Sequence, residues 1–259
     1  ITASIVSKKA AEGLNALVLD VKCGKAAFMK TMHEAKELAE SMVKTANGLG
    51  IRTVAQVTDM NQPIGSHIGN ALEVVESIQV LQGKGTSDTR NLVVMQAGKL
   101  MELSGHCATF EEGKIRIEKV LDNGKALEKF IDMCVAQGTP LGVAQQLASE
   151  PESVLSKSSK TTVITSDSSG FIQDIDAMAL AEVARELGAG RFELTDNVKH
   201  DVGFVVERSI NQPIKQGQTW IHVHHNLPLN NAHLEKIRDA ITISIMVGEH
   251  FTRLLLTVE

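Results

Sequence analysis

The sequence has no excess of basic residues and no long apolar run, and each shortage excludes a class of protein. With a net charge of −5 and a pI of about 6.0, the chain offers no positive field to attract a phosphate backbone or an anionic membrane surface. No apolar run approaches the roughly 20 residues that span a bilayer. We therefore expect a protein without a nucleic-acid or membrane partner.

Cysteine and tyrosine are also scarce. The three cysteines, Cys23, Cys107 and Cys134, are far apart and lack the C-x-x-C spacing typical of zinc and redox sites. Reduced thiols of this kind indicate a cytoplasmic protein rather than an oxidising compartment. The sequence has no tyrosine and begins with Ile1 instead of methionine. We expect it to be a piece of a longer protein.

The first half of the 259 residues has an α/β pattern. Hydrophobic residues make up 43% of the chain and charged residues 22%, which is typical of a globular protein. A helix is expected to end at Gly13, and the apolar run 16–21 is typical of a buried parallel strand. A helix at 34–49 and a strand at 51–57 follow. Four helical segments are then predicted between residues 71 and 137, with breaks at Gly83-Lys84-Gly85, Gly105-His106 and Asn123-Gly124.

The second half is predicted to be a smaller α+β domain. The serine-rich stretch 149–159 is the best candidate for a linker. Beyond it, β-branched and apolar runs predict strands at 161–165, 170–175, 202–206 and 219–224, with helices at 177–187 and 230–241. The predicted organisation is a helical-domain remnant at 1–13, a central α/β domain at 14–148, a linker at 149–160 and a carboxy-terminal domain at 161–259.

The densest chemical signal lies at the start of the chain. On a helix, Ser4 and Lys8 are i, i+4 neighbours on one face, and Ile1 lies one turn earlier on the same side. A hydroxyl, an ammonium and an apolar surface on one face suit a flat heterocycle with carbonyl oxygens. The same spacing also fits an ordinary exposed helix start with solvated lysines.

Several motifs occur in one order along nearly the whole chain. The sequence resembles the thymidine and pyrimidine-nucleoside phosphorylases through Ile1-Thr2-Ala3-Ser4-Ile5-Val6-Ser7-Lys8-Lys9, Glu12-Gly13, Ala16-Leu17-Val18-Leu19-Asp20-Val21-Lys22, Ala27-Phe28-Met29, Thr58-Asp59-Met60-Asn61-Gln62-Pro63, Gly69-Asn70-Ala71-Leu72-Glu73-Val74, Leu121-Asp122-Asn123-Gly124-Lys125-Ala126, Ala136-Gln137-Gly138 and Leu187-Gly188-Ala189-Gly190-Arg191. The resemblance implies a mixed sheet flanked by helices, as in the family 3 glycosyltransferase core. It also implies a barrel-sandwich-like carboxy-terminal domain.

The resemblance implies phosphorolysis of a pyrimidine nucleoside, with phosphate as co-substrate and no organic cofactor. In this family Ser4 and Lys8 match the residues that hydrogen-bond the base, and Lys8 is the expected catalytic residue. Ile1 and Phe28 match apolar contacts around base and sugar. The family pattern further implies a homodimer. Asp59-Met60 matches a loop near the cleft to which no role is assigned.

Two further implications concern ions. In the family, the glycine-rich phosphate loop and a base-binding arginine precede the position of Ile1, so we expect no phosphorolytic activity from this chain alone. Some members bind a monovalent cation, such as potassium, and the matching positions are the carbonyl groups of Ile64 and His67 with the side chain of Glu76. A helix-capping turn with a surface glutamate explains the same residues without a cation.

Other interpretations stay open at this stage. His222 and His224 alternate on a predicted strand beside His225, but no Cys, Asp or Glu lies at ligand spacing, so a metal is disfavoured. Ala179 stands where a biotinyl or lipoyl carrier domain would need its lysine, so no attached cofactor is expected. The turn at Gly188 is expected to cap the end of a helix. A non-catalytic, growth-factor-like interaction protein and an anthranilate phosphoribosyltransferase-like enzyme are the alternative functions.

Overall fold

The computed structural model describes residues 1–248 and 252–259, which form two compact units. Unit 1 comprises Ile1–Asn61, Ser87–Val120 and Thr252–Glu259, and unit 2 comprises Gln62–Thr86 and 121–248. The helices are α1 (Thr2–Ala11), α2 (Met32–Gly48), α3 (Asn70–Leu81), α4 (Ser87–Leu103), α5 (Phe110–Asp122), α6 (Lys125–Ala136), α7 (Leu141–Ser149), α8 (Pro151–Val154), α9 (Ala177–Leu187) and α10 (Asn231–Asp239). The strands are β1 (Ala16–Cys23), β2 (Arg52–Asp59), β3 (His67–Ile68), β4 (Lys160–Thr165), β5 (Gly170–Ile175), β6 (Gly203–Val206), β7 (Pro213–Ile214), β8 (Thr219–His225), β9 (Ile241–Ser244) and β10 (Leu254–Val258).

Unit 1 is built on a mixed three-stranded sheet in the order β1-β2-β10. β1 and β2 run parallel, from the pair Ala16 and Arg52 to the pair Cys23 and Asp59, and β10 runs antiparallel to β2. The carboxyl ends of β1 and β2 therefore lie at the same edge of the sheet. The predicted α/β class with a mixed sheet flanked by helices is confirmed.

Helix α2 connects the two parallel strands. Thr31 begins it with a capping box, in which the Thr31 hydroxyl accepts from the Glu34 amide at 3.3 Å and the Glu34 carboxylate accepts from the Thr31 amide at 3.0 Å. The helix packs on β1 and β2 through a helical stripe of buried residues, namely Ala35, Ala39, Met42, Val43 and Ala46. Val6 of α1 joins the same core.

Unit 2 contains two antiparallel sheets, in the orders β3-β6-β8-β4 and β7-β5-β9. Residues of both sheets and of α9 share one apolar core, in which Trp220, Phe204 and Leu180 are fully buried. This is the α+β arrangement predicted for the second half. Gly188 adopts a left-handed φ of 108° after α9, so the predicted helix cap is confirmed.

Some elements differ from the sequence-based prediction. The predicted linker 149–160 contains the short helix α8, and α7 precedes it. The helix predicted at 230–241 ends at Asp239, because Ile241 begins β9. The predicted range 161–259 holds the last strand with the carboxy-terminal domain, whereas β10 lies in unit 1 because it pairs with β2.

No helix among the described residues is both long enough and apolar enough to span a bilayer.

The stretch at Ala179, compared above with a carrier hairpin, is the first turn of α9 instead. Asp176 caps that helix by accepting hydrogen bonds from the amides of Met178 and Ala179, at 2.9 and 3.0 Å.

Helices α4 and α5 approach each other through glycine. A Cβ atom on Gly113 would lie 2.3 Å from the backbone oxygen of Gly98, and one on Gly98 would lie 2.9 Å from the Lys114 amide nitrogen. Neither backbone can yield without moving its helix. The close approach therefore requires glycine at both positions.

We expect Gly113→Ala to destabilise the protein by about 1–3 kcal/mol, because the added methyl group overlaps the Gly98 carbonyl. Gly142→Ala in α7 is the matched control, since nothing lies within 4 Å of the added Cβ. Helix propensity should there make alanine the more stable residue, by about 0.5–1 kcal/mol. Urea unfolding followed by circular dichroism measures both; equal stabilisation by the two substitutions would contradict the close approach.

Candidate functional site

The exposed face of α1 carries the residues with the strongest chemical signal. Ile1 is 59% exposed, and Ser4 and Lys8 are exposed one and two turns further on. The opposite side of the helix is anchored by Val6, which is 1% exposed. Within residues 1–248 and 252–259, neither the Ser4 hydroxyl nor the Lys8 ammonium has a hydrogen-bond or ion-pair partner in the protein. Both groups are therefore available to donate to a ligand.

Phe28 lies in the loop between β1 and α2. Its side chain is 80% exposed, although backbone hydrogen bonds hold the loop around it. The Gly24 amide donates to the Met29 carbonyl at 3.0 Å, and the Ala27 amide donates to the Gly24 carbonyl at 3.0 Å. A fixed loop thus presents an apolar ring to solvent.

The turn after β2 holds the same loop from the other side. The Met60 amide donates to the Cys23 carbonyl at 2.7 Å, and the Ala26 amide donates to the Met60 carbonyl at 3.0 Å. Asn61 accepts from the Lys25 amide at 2.9 Å through its side-chain oxygen. These bonds give a structural role to the Asp59-Met60 turn, which the sequence motif had marked without assigning a role.

Cys23 ends β1 beside this loop and is not a nucleophile. Burial raises the pKa of its thiol, and the carboxylates of Asp59 and Glu34 raise it further. A protonated, 5% exposed thiol is inert at neutral pH. Cys23 therefore adds no reactive thiol to this part of unit 1.

A second polar cluster lies along β1 and β2, and sequence reasoning did not find it. Lys22 donates to Asp20 at 2.6 Å and to the Thr58 hydroxyl at 3.0 Å, and Thr58 donates to Asp20 at 2.5 Å. Gln96 of α4 donates to Asp20 at 2.6 Å. The strand register explains the cluster, since Lys22 pairs with Thr58. Its members form hydrogen bonds with one another, so we interpret the cluster as a structural link between α4 and the sheet.

Unit 1 also carries a cavity of about 750 Å³ that contains none of the predicted site residues. Asn15, Ala16, Gly50 and Arg52 place it at the amino-terminal ends of β1 and β2. The carboxyl ends of these strands, next to Phe28, lie at the opposite edge of the sheet. Ile1, Ser4, Lys8 and Phe28 thus lie on open surface in this structure.

In unit 2, the residues predicted to bind a cation are grouped around Glu76. This α3 carboxylate is 4% exposed and accepts hydrogen bonds from the Ser66 amide at 3.0 Å, the His67 amide at 3.1 Å and the Thr86 hydroxyl at 2.8 Å. Ile64 lies in the same turn, two residues before Ser66. The structure therefore brings Glu76 and His67 together, and the carboxylate is not on the surface as the alternative interpretation assumed.

The ionisation of Glu76 follows from these bonds. Burial by itself raises the pKa of the carboxyl group, but hydrogen bonds from His67, Ser66 and Thr86 lower it to about 2. Glu76 therefore stays ionised at any physiological pH. An ionised carboxylate is the type of oxygen ligand that a hard cation prefers, although both of its oxygens already accept hydrogen bonds from amide and hydroxyl groups here.

The three histidines of β8 separate into different environments. His222 pairs with Glu207 at 3.0 Å. His225 is buried and bonds to the Thr162 hydroxyl at 2.8 Å and the Leu227 carbonyl at 2.7 Å. Burial, followed by the neighbouring His222, lowers the pKa of His224. No group of three or more His, Cys, Asp or Glu side chains arranged for a metal occurs among the described residues.

We expect the charge of Glu76 to stabilise the fold by on the order of 3 kcal/mol at neutral pH, because its pKa lies near 2 instead of 4.5. A lowered pKa stabilises the fold above about pH 4.5 and loses its effect as the pH falls towards 2. Glu76→Gln should therefore lower the free energy of unfolding at pH 7 and less so at pH 3.5.

Urea unfolding followed by the fluorescence of Trp220, which lies in the same unit, measures this difference. Glu193→Gln is the control, since Glu193 is an exposed residue of unit 2. An equal loss for Glu76→Gln at pH 7 and pH 3.5 would show that the carboxylate charge is not what stabilises the turn.

Comparisons with known proteins agree with this architecture. Residues 2–127 match the model of the glycosyl transferase family a/b domain, and residues 171–244 match that of the pyrimidine nucleoside phosphorylase C-terminal domain. The first match covers α1, β1, α2, β2 and the helices up to α5. The second covers most of the strands of unit 2.

Individual relatives match across both regions. Thymidine phosphorylase of Homo sapiens is 37% identical over 249 residues, which is 94% of this chain and 52% of the relative. Pyrimidine-nucleoside phosphorylase of Bacillus subtilis is 35% identical over 244 residues, which is 94% of this chain and 55% of the relative. The chain thus spans about half the length of these curated relatives. With both family models matched in order along α1 to β9, the chain belongs to the thymidine and pyrimidine-nucleoside phosphorylase family.

Proposed function

We propose that the protein carrying this chain splits pyrimidine nucleosides with phosphate, releasing the free base and a pentose 1-phosphate. Thymidine is the expected substrate and gives thymine and 2-deoxyribose 1-phosphate; deoxyuridine and uridine are further candidates. The observation that carries the proposal is the pair of unengaged donors, Ser4 and Lys8, on the exposed face of α1. The relatives named thymidine phosphorylase and pyrimidine-nucleoside phosphorylase support it.

The charge that develops during this reaction explains the choice of residues. As the bond between sugar and base breaks, the sugar becomes cationic and the departing pyrimidine gains negative charge. An ammonium aimed at the base oxygens stabilises that state more than the neutral substrate, which is the requirement for catalysis. Lys8 takes this role in the proposal, and the neutral hydroxyl of Ser4 orients the base.

Apolar groups complete the proposed contacts. Ile1 begins the same face of α1, and Phe28 projects from the loop after β1 with 80% of its surface exposed. A planar base and the carbon face of a pentose bury apolar surface against such side chains, at about 25 cal/mol per Å². We assign Ile1 and Phe28 to base and sugar contacts on this basis.

In this proposal, residues outside this chain supply the remaining parts of the reaction. In the family, the phosphate loop and the base-binding arginine precede the position of Ile1. The residues that bind the phosphate co-substrate are therefore expected outside this chain. The chain alone should therefore bind the base without turning over the nucleoside. A homodimer and a cytoplasmic location are part of the same proposal.

A monovalent cation, potassium, is proposed at the Glu76 turn. The carbonyl oxygens of Ile64 and His67 and the Glu76 carboxylate would hold it. The ion would supply positive charge beside a buried carboxylate that stays ionised down to a pH near 2.

We expect the chain to bind thymine, and Lys8→Met to abolish that binding because the charged donor is lost. Ser4→Ala should weaken it less, since a neutral hydroxyl contributes less than an ammonium. Saturation-transfer NMR with thymine measures both. Lys9→Met is the matched control, because Lys9 lies on the same helix but donates to Glu12 at 2.9 Å. Thymine binding by Lys8→Met at the wild-type level would refute the assignment.

In the full-length protein, we expect Lys8→Met to lower kcat for thymidine phosphorolysis by about 10²–10³-fold, the typical effect of removing one donor at a developing charge. Lys9→Met should leave kcat within about twofold of wild type, since an exposed helical ion pair contributes little. Release of thymine followed by absorbance measures both. A Lys8→Met protein with normal turnover would remove Lys8 from the mechanism.

A further inference from the structure

Arg253, just before β10, bonds to the end of β2 through both its backbone and its side chain. Its carbonyl accepts from the Asp59 amide at 2.8 Å, and its guanidinium donates to the Asp59 carbonyl at 2.8 Å. The other guanidinium nitrogens form a fork on the Asp88 carboxylate at 2.5 and 3.1 Å. The side chain is 6% exposed. Arg253 thus connects the turn after β2 to the first turn of α4.

Asp59 connects Arg253 to Asn61 through hydrogen bonds. The Asp59 carboxylate accepts from the Asn61 side-chain amide at 2.5 Å and from its backbone amide at 3.2 Å. It also lies 3.7 Å from the Arg253 guanidinium. Both hydrogen bonds fix the orientation of the Asn61 side chain. Its oxygen accepts a hydrogen bond from the Lys25 amide at 2.9 Å.

The loop that receives this contact has no space to shift towards it. A Cβ atom on Gly24 would lie 2.7 Å from the Asn61 side-chain oxygen and 2.8 Å from the Asn61 backbone nitrogen. Gly24 has a φ of 133°. Asn61 therefore packs directly against the backbone from which the Phe28 loop starts. Displacement of Asn61 must displace or loosen the loop.

We propose that Arg253 is a positioning residue for the nucleoside site. Through Asp59 and Asn61 it sets the position of the 24–30 loop and hence of Phe28, the side chain assigned above to the base and sugar. This inference rests on the proposed function. Arg253 touches no substrate in it; its effect on the reaction passes entirely through the loop.

The bonds made by Arg253 differ in whether they contribute only to the stability of the fold or also to the position of the 24–30 loop. A buried ion pair with Asp88 could be replaced by an apolar contact with little loss of stability. The bond from the guanidinium to the Asp59 carbonyl, by contrast, fixes a backbone atom two residues from Asn61. A loss confined to stability would reduce the amount of active protein, whereas loss of a positioned apolar contact raises KM for the nucleoside.

The first measurement is hydrogen exchange of residues 24–30 in the chain itself, by mass spectrometry. Arg253→Lys keeps the charge but cannot form the fork and the Asp59 bond together, and Asn61→Ala removes the acceptor of the Lys25 amide. Both should speed exchange of this loop by roughly five- to tenfold. Arg52→Lys is the matched control, because Arg52 is an exposed arginine of β2. Unchanged exchange in Arg253→Lys and Asn61→Ala would overturn the proposal.

The second measurement is kinetics of the full-length protein with thymidine. Both substitutions should raise KM several-fold and leave kcat within about twofold, as for loss of a uniform binding contact. In a Phe28→Ala background they should raise KM no further, because residues that act through one contact are not additive. An unchanged KM, or an undiminished rise in that background, would overturn the proposal. A wild-type protein that releases no pyrimidine base would instead overturn the proposed function, and the positioning role with it.

Discussion

Two turns leave the carboxyl ends of the parallel strands β1 and β2, and the hydrogen bonds between them determine how unit 1 presents Phe28. Each turn satisfies backbone groups of the other, through Met60 with Cys23 and Ala26 with Met60. Neighbouring parallel strands end at the same edge of a sheet, which brings these two turns together. The exposed ring of Phe28 depends on it, since no side-chain packing holds an 80% exposed residue in place.

Two buried charged side chains also restrain the backbone. Glu76 in unit 2 collects backbone amides and a hydroxyl, and Arg253 in unit 1 donates to a backbone carbonyl and to Asp88. A buried ion without such partners would be strongly unfavourable. Both residues therefore restrain backbone segments, Glu76 the turn before β3 and Arg253 the end of β2. The exposed donors of α1, Ser4 and Lys8, differ in having no partner within the described residues.

Sequence patterns predicted most elements because their causes are local. The glycine after α1, the apolar run of β1 and the glycine breaks between the helices after residue 70 each act within a few residues, and the structure agrees with them. The two-residue strands β3 and β7 lacked a readable period, and β10 was not predicted because its pairing with β2 spans nearly 200 residues. For the candidate site, a spacing of four residues placed Ser4 and Lys8 on one face, but nothing local to Arg253 indicated its partners Asp59 and Asp88.

The sequence by itself determined the family, the α/β and α+β character of the two halves, and the helix face that carries Ser4 and Lys8. These follow from periodicity and from motifs whose residues are close together along the chain. Only the tertiary structure decided that the last strand joins the first sheet, that Glu76 is buried and ionised, and that Asn61 holds the Phe28 loop. Those features arise from contacts between different segments of the chain, which the pattern within one segment does not show, and the strength of a charge or a hydrogen bond depends on how far such contacts exclude water.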